Sequence, residues 1–91
     1  MNYALEIKKS AQKEIQSFKK SDKNSFEKIT KLLIELKKHP KTGSGNPEQL
    51  KHNLNDYWSR RINSKDRLIY SIDEQEITVF VISAKGHYFD K

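Results

Sequence analysis

Between Gly45 and Tyr70 the chain carries a carboxylate, Glu48, close to Lys51 and His52, and then Trp58 with the arginines Arg60, Arg61 and Arg67. Such a set suits acid–base chemistry on a phosphate, and it equally suits a solvated basic surface. Cleaving an RNA phosphodiester without a metal needs a base for the 2′-OH proton, an acid for the leaving oxygen and cations for the charge that builds on phosphorus. Glu48 is the candidate base, held ionised by neighbouring cations. Arg61 and Arg67 can grip phosphate oxygens with their planar forks, and Lys51 adds a point charge. Near the C-terminus His87 is the natural proton donor, and Tyr88 can stack on a base.

Each residue also has a plain structural reading. Glu48 after Pro47 fits a helix start, Arg61 and Arg67 fit solvated strand charges, and His39 fits a helix end. His52 suits a partner contact or a cap, and Trp58 at the opening of a strand suits a core anchor. Metal catalysis has little support, because no histidines have ligand-like helical spacing and no acidic pair falls near Glu48. Gly43-Ser44-Gly45 lacks the rest of a phosphate-binding loop or a nucleophile elbow. A helix-turn-helix is conceivable for the first two helices, but their joint Lys19-Lys20-Ser21-Asp22 is only generically polar.

The elements that must position these residues follow from periodicity. Tyr3, Leu5 and Ile7 alternate with Ala4 and Glu6 as in a half-buried strand. Ser10 can cap a helix with the stripe Ala11, Ile15 and Phe18. Asp22 can cap a second one, in which Phe26, Ile29, Leu32, Leu33 and Leu36 line one face and Glu27, Lys28, Lys31, Glu35 and Lys37 the other. Pro40 ends it, and residues 41–47 form a loop. Tyr57 to Asn63 and Arg67 to Ile72 read as a β-hairpin. Glu76 to Ala84 reads as a strand buried on both faces, with Phe80 and Ile82 opposite Val79 and Val81. The predicted order is β-α-α-β-β-β, an α+β fold with a helical hairpin on a mostly antiparallel sheet, in a single domain over residues 1–91. An odd hairpin loop, Ser64-Lys65-Asp66, would put Ile62 and Leu68 on the core face and Arg61 with Arg67 on the other.

Composition sets outer bounds. The chain has 91 residues, 18 Lys and Arg against 12 Asp and Glu, and a net charge of +6. That length holds one thin core, and a domain this basic meets a polyanion or an acidic protein partner. There is no cysteine, which excludes disulfides, thiolate metal sites and cysteine nucleophiles. No signal peptide and no membrane span are expected, and the expected location is cytoplasmic.

The runs Pro47-Glu48-Gln49-Leu50-Lys51-His52-Asn53-Leu54, Tyr57-Trp58-Ser59-Arg60-Arg61-Ile62 and Asp66-Arg67-Leu68-Ile69-Tyr70, with Gly86-His87-Tyr88, resemble the signature of YoeB toxins, within the RelE/ParE superfamily. The resemblance implies a RelE/ParE-like, microbial-RNase-like fold. It also implies a cofactor-free, ribosome-dependent endoribonuclease that cuts messenger RNA in the A site. Glu48 would be the general base, His87 the general acid, Arg67 the transition-state clamp and Tyr88 an orienting or stacking group. Lys51 and Arg61 would support phosphate and ribosomal RNA binding. The implied partner is a YefM-type antitoxin that covers the site, with operon DNA met only through that complex, and a homodimer is expected. Lys85-Gly86 and Phe89-Asp90-Lys91 depart from the family's usual ending. Two other readings use the same scaffold: a non-catalytic ParE-like topoisomerase inhibitor, and a basic RNA- or ribosome-binding inhibitor.

Overall fold

Alternation in the first residues and helical spacing in the next thirty produce a sheet with one helical layer. In the computed structural model, which describes residues 2–50 and 57–86, the order is β1 (Ala4–Ile7), α1 (Lys9–Ser21), α2 (Lys23–Leu36), β2 (Glu48–Gln49), β3 (Tyr57–Arg61), β4 (Arg67–Asp73) and β5 (Thr78–Gly86). The strands lie in the order β1-β5-β4-β3-β2. β1 runs parallel to β5, and every other pairing is antiparallel. The helical hairpin and mostly antiparallel sheet are as expected. The two-residue β2 is an addition, too short for any periodicity to reveal.

Asp22 makes the joint between the helices. Its N–H closes α1 on the Phe18 carbonyl at 2.8 Å. Its carboxylate opens α2, accepting from Ser25 N–H at 3.1 Å and Ser25 Oγ at 2.8 Å. The Ser25 hydroxyl, and then the Ser25 N–H, hold the Asp22 carboxyl below its ordinary pKa. The expected cap at Ser10 is not made: α1 starts at Lys9, Lys8 holds the cap position, and no side chain caps it. Gln12 instead turns back to the Ile7 carbonyl at 2.8 Å.

The apolar stripes meet the sheet as their spacing requires. Ala11 and Phe18 of α1 and Ile29, Leu32 and Leu36 of α2 are buried against Leu68, Tyr70, Val79 and Val81. Each leucine, isoleucine, valine or phenylalanine side chain among them contributes about 1.5–3 kcal/mol by leaving water. β5 is covered more completely on one face than expected of a strand buried on both. Val79 and Val81, under the helices, are fully buried, whereas Phe80 and Ile82 are half-buried.

The β3–β4 connection runs from Ile62 to Asp66 and is closed by Ile62 N–H on the Asp66 carbonyl at 3.0 Å. Asn63, expected to end the strand, lies in the loop instead. Its Oδ1 accepts the N–H groups of Lys65 and Asp66 at 2.8 and 2.7 Å, a local bond that competes with the ladder. The loop is longer than Ser64-Lys65-Asp66 and still odd, so the expected parity holds. Arg60 pairs with Leu68, and Arg61 with Arg67. No helix is long and apolar enough to cross a membrane among the described residues.

A candidate active site on the sheet face away from the helices

Ser59-Arg60-Arg61 gives two adjacent guanidinium groups opposite duties, because successive side chains of a strand leave on opposite faces. Trp58, Arg60, Leu68 and Tyr70 share the parity of the helix-covered face. Tyr57, Ser59, Arg61, Arg67 and Ile69 share the other.

Arg60 turns inward and is fully buried. Its Nε donates to Tyr70 OH at 3.1 Å. Its Nη1 donates to Glu35 Oε1 at 2.9 Å and to the Ser44 carbonyl at 3.2 Å. Its Nη2 reaches the carbonyls of His39 and Thr42. Every N–H of the fork thus has an acceptor. The Tyr70 hydroxyl in turn donates to the Pro40 carbonyl at 2.8 Å. Glu35, expected on the solvated face of α2, is turned into this network. It accepts Ser44 N–H and Ser44 Oγ, each at 2.8 Å. The Ser44 N–H, with the Ser44 hydroxyl and Arg60, holds the Glu35 carboxyl below its usual range against the opposing pull of burial. Burial pushes the Tyr70 phenol up, with Arg60 opposing.

The network fixes the loop that delivers Glu48. Within that loop Gly45 has φ of +81°, and a β-carbon there would meet the Arg61 carbonyl and Leu32 Cδ2 at 3.1 Å each. A side chain is excluded both by the left-handed backbone and by the close approach. The Gly45 carbonyl accepts Arg61 N–H at 2.6 Å, and beyond Glu48 the Leu50 N–H reaches the Tyr57 carbonyl at 2.8 Å. Glu48 is therefore pinned on both sides to β3 and stands directly opposite Ser59. It belongs to a strand, which removes the helix-start reading.

Glu48, Ser59, Arg61 and Arg67 thus occupy one sheet face. Glu48 and Arg67 are half-buried and Arg61 is exposed, while the Nη1 atom of Arg67 is shielded from solvent. Trp58 packs against the core, as the anchor reading required. Lys51, His52, His87 and Tyr88 lie outside the described residues. Leading toward His87, the end of β5 is irregular, with register breaks on β4 between Arg67 and Ile69 and between Ile69 and Tyr70. Glu14 of α1 catches what leaves the ladder: its Oε1 accepts Ala84 N–H at 2.7 Å, Lys85 N–H at 3.1 Å and Ser83 Oγ at 3.2 Å. Sequence reasoning missed Arg60 and Glu14. Arg60 shares the parity of Trp58 and Ile62 and was in principle readable; Glu14 carried no local signal.

The charge is unevenly spread. Residues 8–41 hold 11 lysines and four carboxylates. Three of those carboxylates, on Glu14, Asp22 and Glu35, serve internal hydrogen bonds. The helical hairpin thus carries the excess cation, and the sheet face carries a selected mixture. Among the described residues no three His, Asp or Glu groups gather as a metal would require.

This helical hairpin on a mostly antiparallel sheet defines the RelE-like α+β fold. Residues 7–88 match the family model described as the YoeB-like toxin of bacterial type II toxin–antitoxin systems. The YoeB toxin of Synechocystis is 42% identical over 71 residues, which cover 78% of this chain and 80% of that one. A solved YoeB dimer from Staphylococcus aureus aligns with a TM-score of 0.84 at 34% identity, over 97% of this chain and 100% of that one. The toxin in a heterotetrameric YoeB–YefM complex from the same organism aligns at 0.79 and 34%, with the same coverage. The chain belongs to the YoeB-like toxins of type II toxin–antitoxin systems.

Proposed function

We propose that this toxin is a ribosome-dependent endoribonuclease that cuts messenger RNA at A-site codons and stops translation, without a metal or other cofactor. The observation that carries the reading is the placement of Glu48 and the Arg61–Arg67 pair on one face of the sheet, with Glu48 tied to β3 on both sides. A carboxylate with guanidinium groups on the same face is the arrangement that attack of a 2′-oxygen on phosphorus needs. Glu48 takes the 2′-OH proton, the 2′-oxygen bonds to phosphorus, and the 5′-oxygen leaves with a proton from His87. The products are a 2′,3′-cyclic phosphate and a 5′-hydroxyl. Arg67 stabilises the charge on the phosphoryl oxygens, and Tyr88 orients the substrate base. Lys51 and Arg61 hold the RNA backbone.

The partner is an acidic antitoxin of YefM type, and the free toxin forms a homodimer. Support comes from the staphylococcal relative, seen both as a dimer and in a complex with YefM, and from the +6 charge of this chain. Operon DNA is met only through that complex.

Primer extension on a translated message with purified ribosomes, comparing wild type with Glu48→Gln, tests the reading. Cuts at A-site codons that vanish in the variant are expected. Stalled translation without cuts would instead indicate a ribosome-binding inhibitor. Unaffected translation would indicate a topoisomerase inhibitor.

A further inference from the structure

Ser59 is a polar residue without an evident job. It is fully buried, and its Oγ has no hydrogen-bond partner among the described residues. Leaving a hydroxyl unsatisfied costs more than placing alanine there, so the oxygen calls for a reason. Its neighbours supply one. Glu48 stands directly opposite on β2, and Ile69 directly opposite on β4. Opposed residues of an antiparallel pair have β-carbons about 4.5–5.5 Å apart, within reach of a glutamate side chain. A hydroxyl proton needs an acceptor. The Ile69 side chain has none. Of the two residues that flank Ser59 along β3 on that face, Arg61 carries only donors and Tyr57 a neutral phenol, so the Glu48 carboxylate is the strongest acceptor directly opposite.

We infer that Ser59 is a positioning residue for Glu48: its hydroxyl donates to one carboxylate oxygen and fixes the rotamer in which the other faces the substrate. The inference rests on Glu48 being the base of the proposed reaction. A neutral donor suits the task because it orients the carboxylate without cancelling its charge, as a guanidinium would. The deep placement of Ser59 keeps it from touching RNA itself.

The test compares Ser59→Ala and Ser59→Thr with wild type in single-turnover cleavage on ribosomes, alongside ribosome affinity and thermal midpoint. Ser59→Ala is expected to slow cleavage about 10- to 100-fold, the size of one hydrogen bond to a charged group. Ribosome affinity should be unchanged, and the variant should remain fully folded at the assay temperature. Ser59→Thr, which keeps the hydroxyl, should recover most of the rate. In a Glu48→Gln background, Ser59→Ala should have no further effect. Wild-type cleavage by Ser59→Ala, a loss accounted for by unfolding at the assay temperature, or additive losses in the double variant would each overturn the inference. Failure of wild type to cut would overturn the nuclease reading instead. The contact is then judged by the carboxyl ¹³C resonance of Glu48 in the free protein: movement on Ser59→Ala supports it, and an unmoved resonance overturns it.

Discussion

Arg61 and Arg67 stand directly opposite one another across β3 and β4, on the face that Glu48 shares. Like charges in that position oppose pairing of the strands, and a phosphate between two forks turns the opposition into attraction. Arg61→Ala should therefore weaken ribosome binding and reduce the slope of log affinity against log salt by about one. Because Arg61 is exposed, stability should change by no more than ~0.5 kcal/mol. Affinity measured across a salt series, with urea unfolding beside it, checks both parts.

The adjacent guanidinium should behave in the opposite way. Arg60 is fully buried, and Glu35, its ion-pair partner, has 28% of its side chain exposed. Arg60→Leu leaves the Glu35 carboxylate with Ser44 but without its countercharge, and the Tyr70 hydroxyl and the carbonyls of His39, Thr42 and Ser44 without the guanidinium donor. Removing one partner of a buried pair costs ~3–5 kcal/mol, a large share of the roughly 5–15 kcal/mol that holds a domain folded. Urea unfolding should show a collapse for Arg60→Leu and almost none for Arg61→Ala. Equal losses would contradict the assignment of the two residues to opposite faces.

Glu35 also makes stability depend on pH. Its folded pKa lies below the unfolded one, chiefly through the Ser44 N–H. Between the two values the unfolded chain therefore binds more protons than the native one. This contribution is present above the unfolded pKa and is lost as pH falls through the folded pKa. Unfolding free energies over the acid range should decline less steeply in Glu35→Gln than in wild type.

Glu14 anchors the irregular end of β5 through backbone N–H groups that left the ladder. Glu14→Ala should speed amide exchange at Ala84 and Lys85 by about tenfold, one hydrogen bond's worth, and leave Val79 and Val81 unchanged. Exchange followed by NMR reports each amide. Unchanged exchange at Ala84 would mean that the carboxylate holds nothing in place.

What the sequence reveals of this fold is local and periodic. The stripes of both helices, the Asp22 cap and the odd hairpin loop need only spacing and parity, and parity alone puts Arg61 and Arg67 on one face. The same parity puts Arg60 with Trp58, yet arginine's usual preference for solvent masks it. Glu35 departs from its expected place for a related reason: its acceptor role depends on Ser44 and Arg60, which no helical wheel contains. β2 exists only because Gly45, Leu50 and β3 hold it, and the parallel neighbour of β5 lies at the far end of the chain. Glu48, Arg61 and Arg67 are legible as candidates from residue type and spacing, and strand pairing brings them to one face. The orphan hydroxyl of Ser59 is not, since it emerges only from burial and strand pairing taken together.

The pairing of β1 with β5 joins Ala4 to Thr78 and Ile7 to Val81. The first strand to be synthesised thus waits for the last before it has a neighbour. During translation the helical hairpin can form from local contacts, while the sheet stays open until the C-terminal segment has left the exit tunnel. A chain of this design acquires its finished sheet face last, when β5 arrives between β1 and β4.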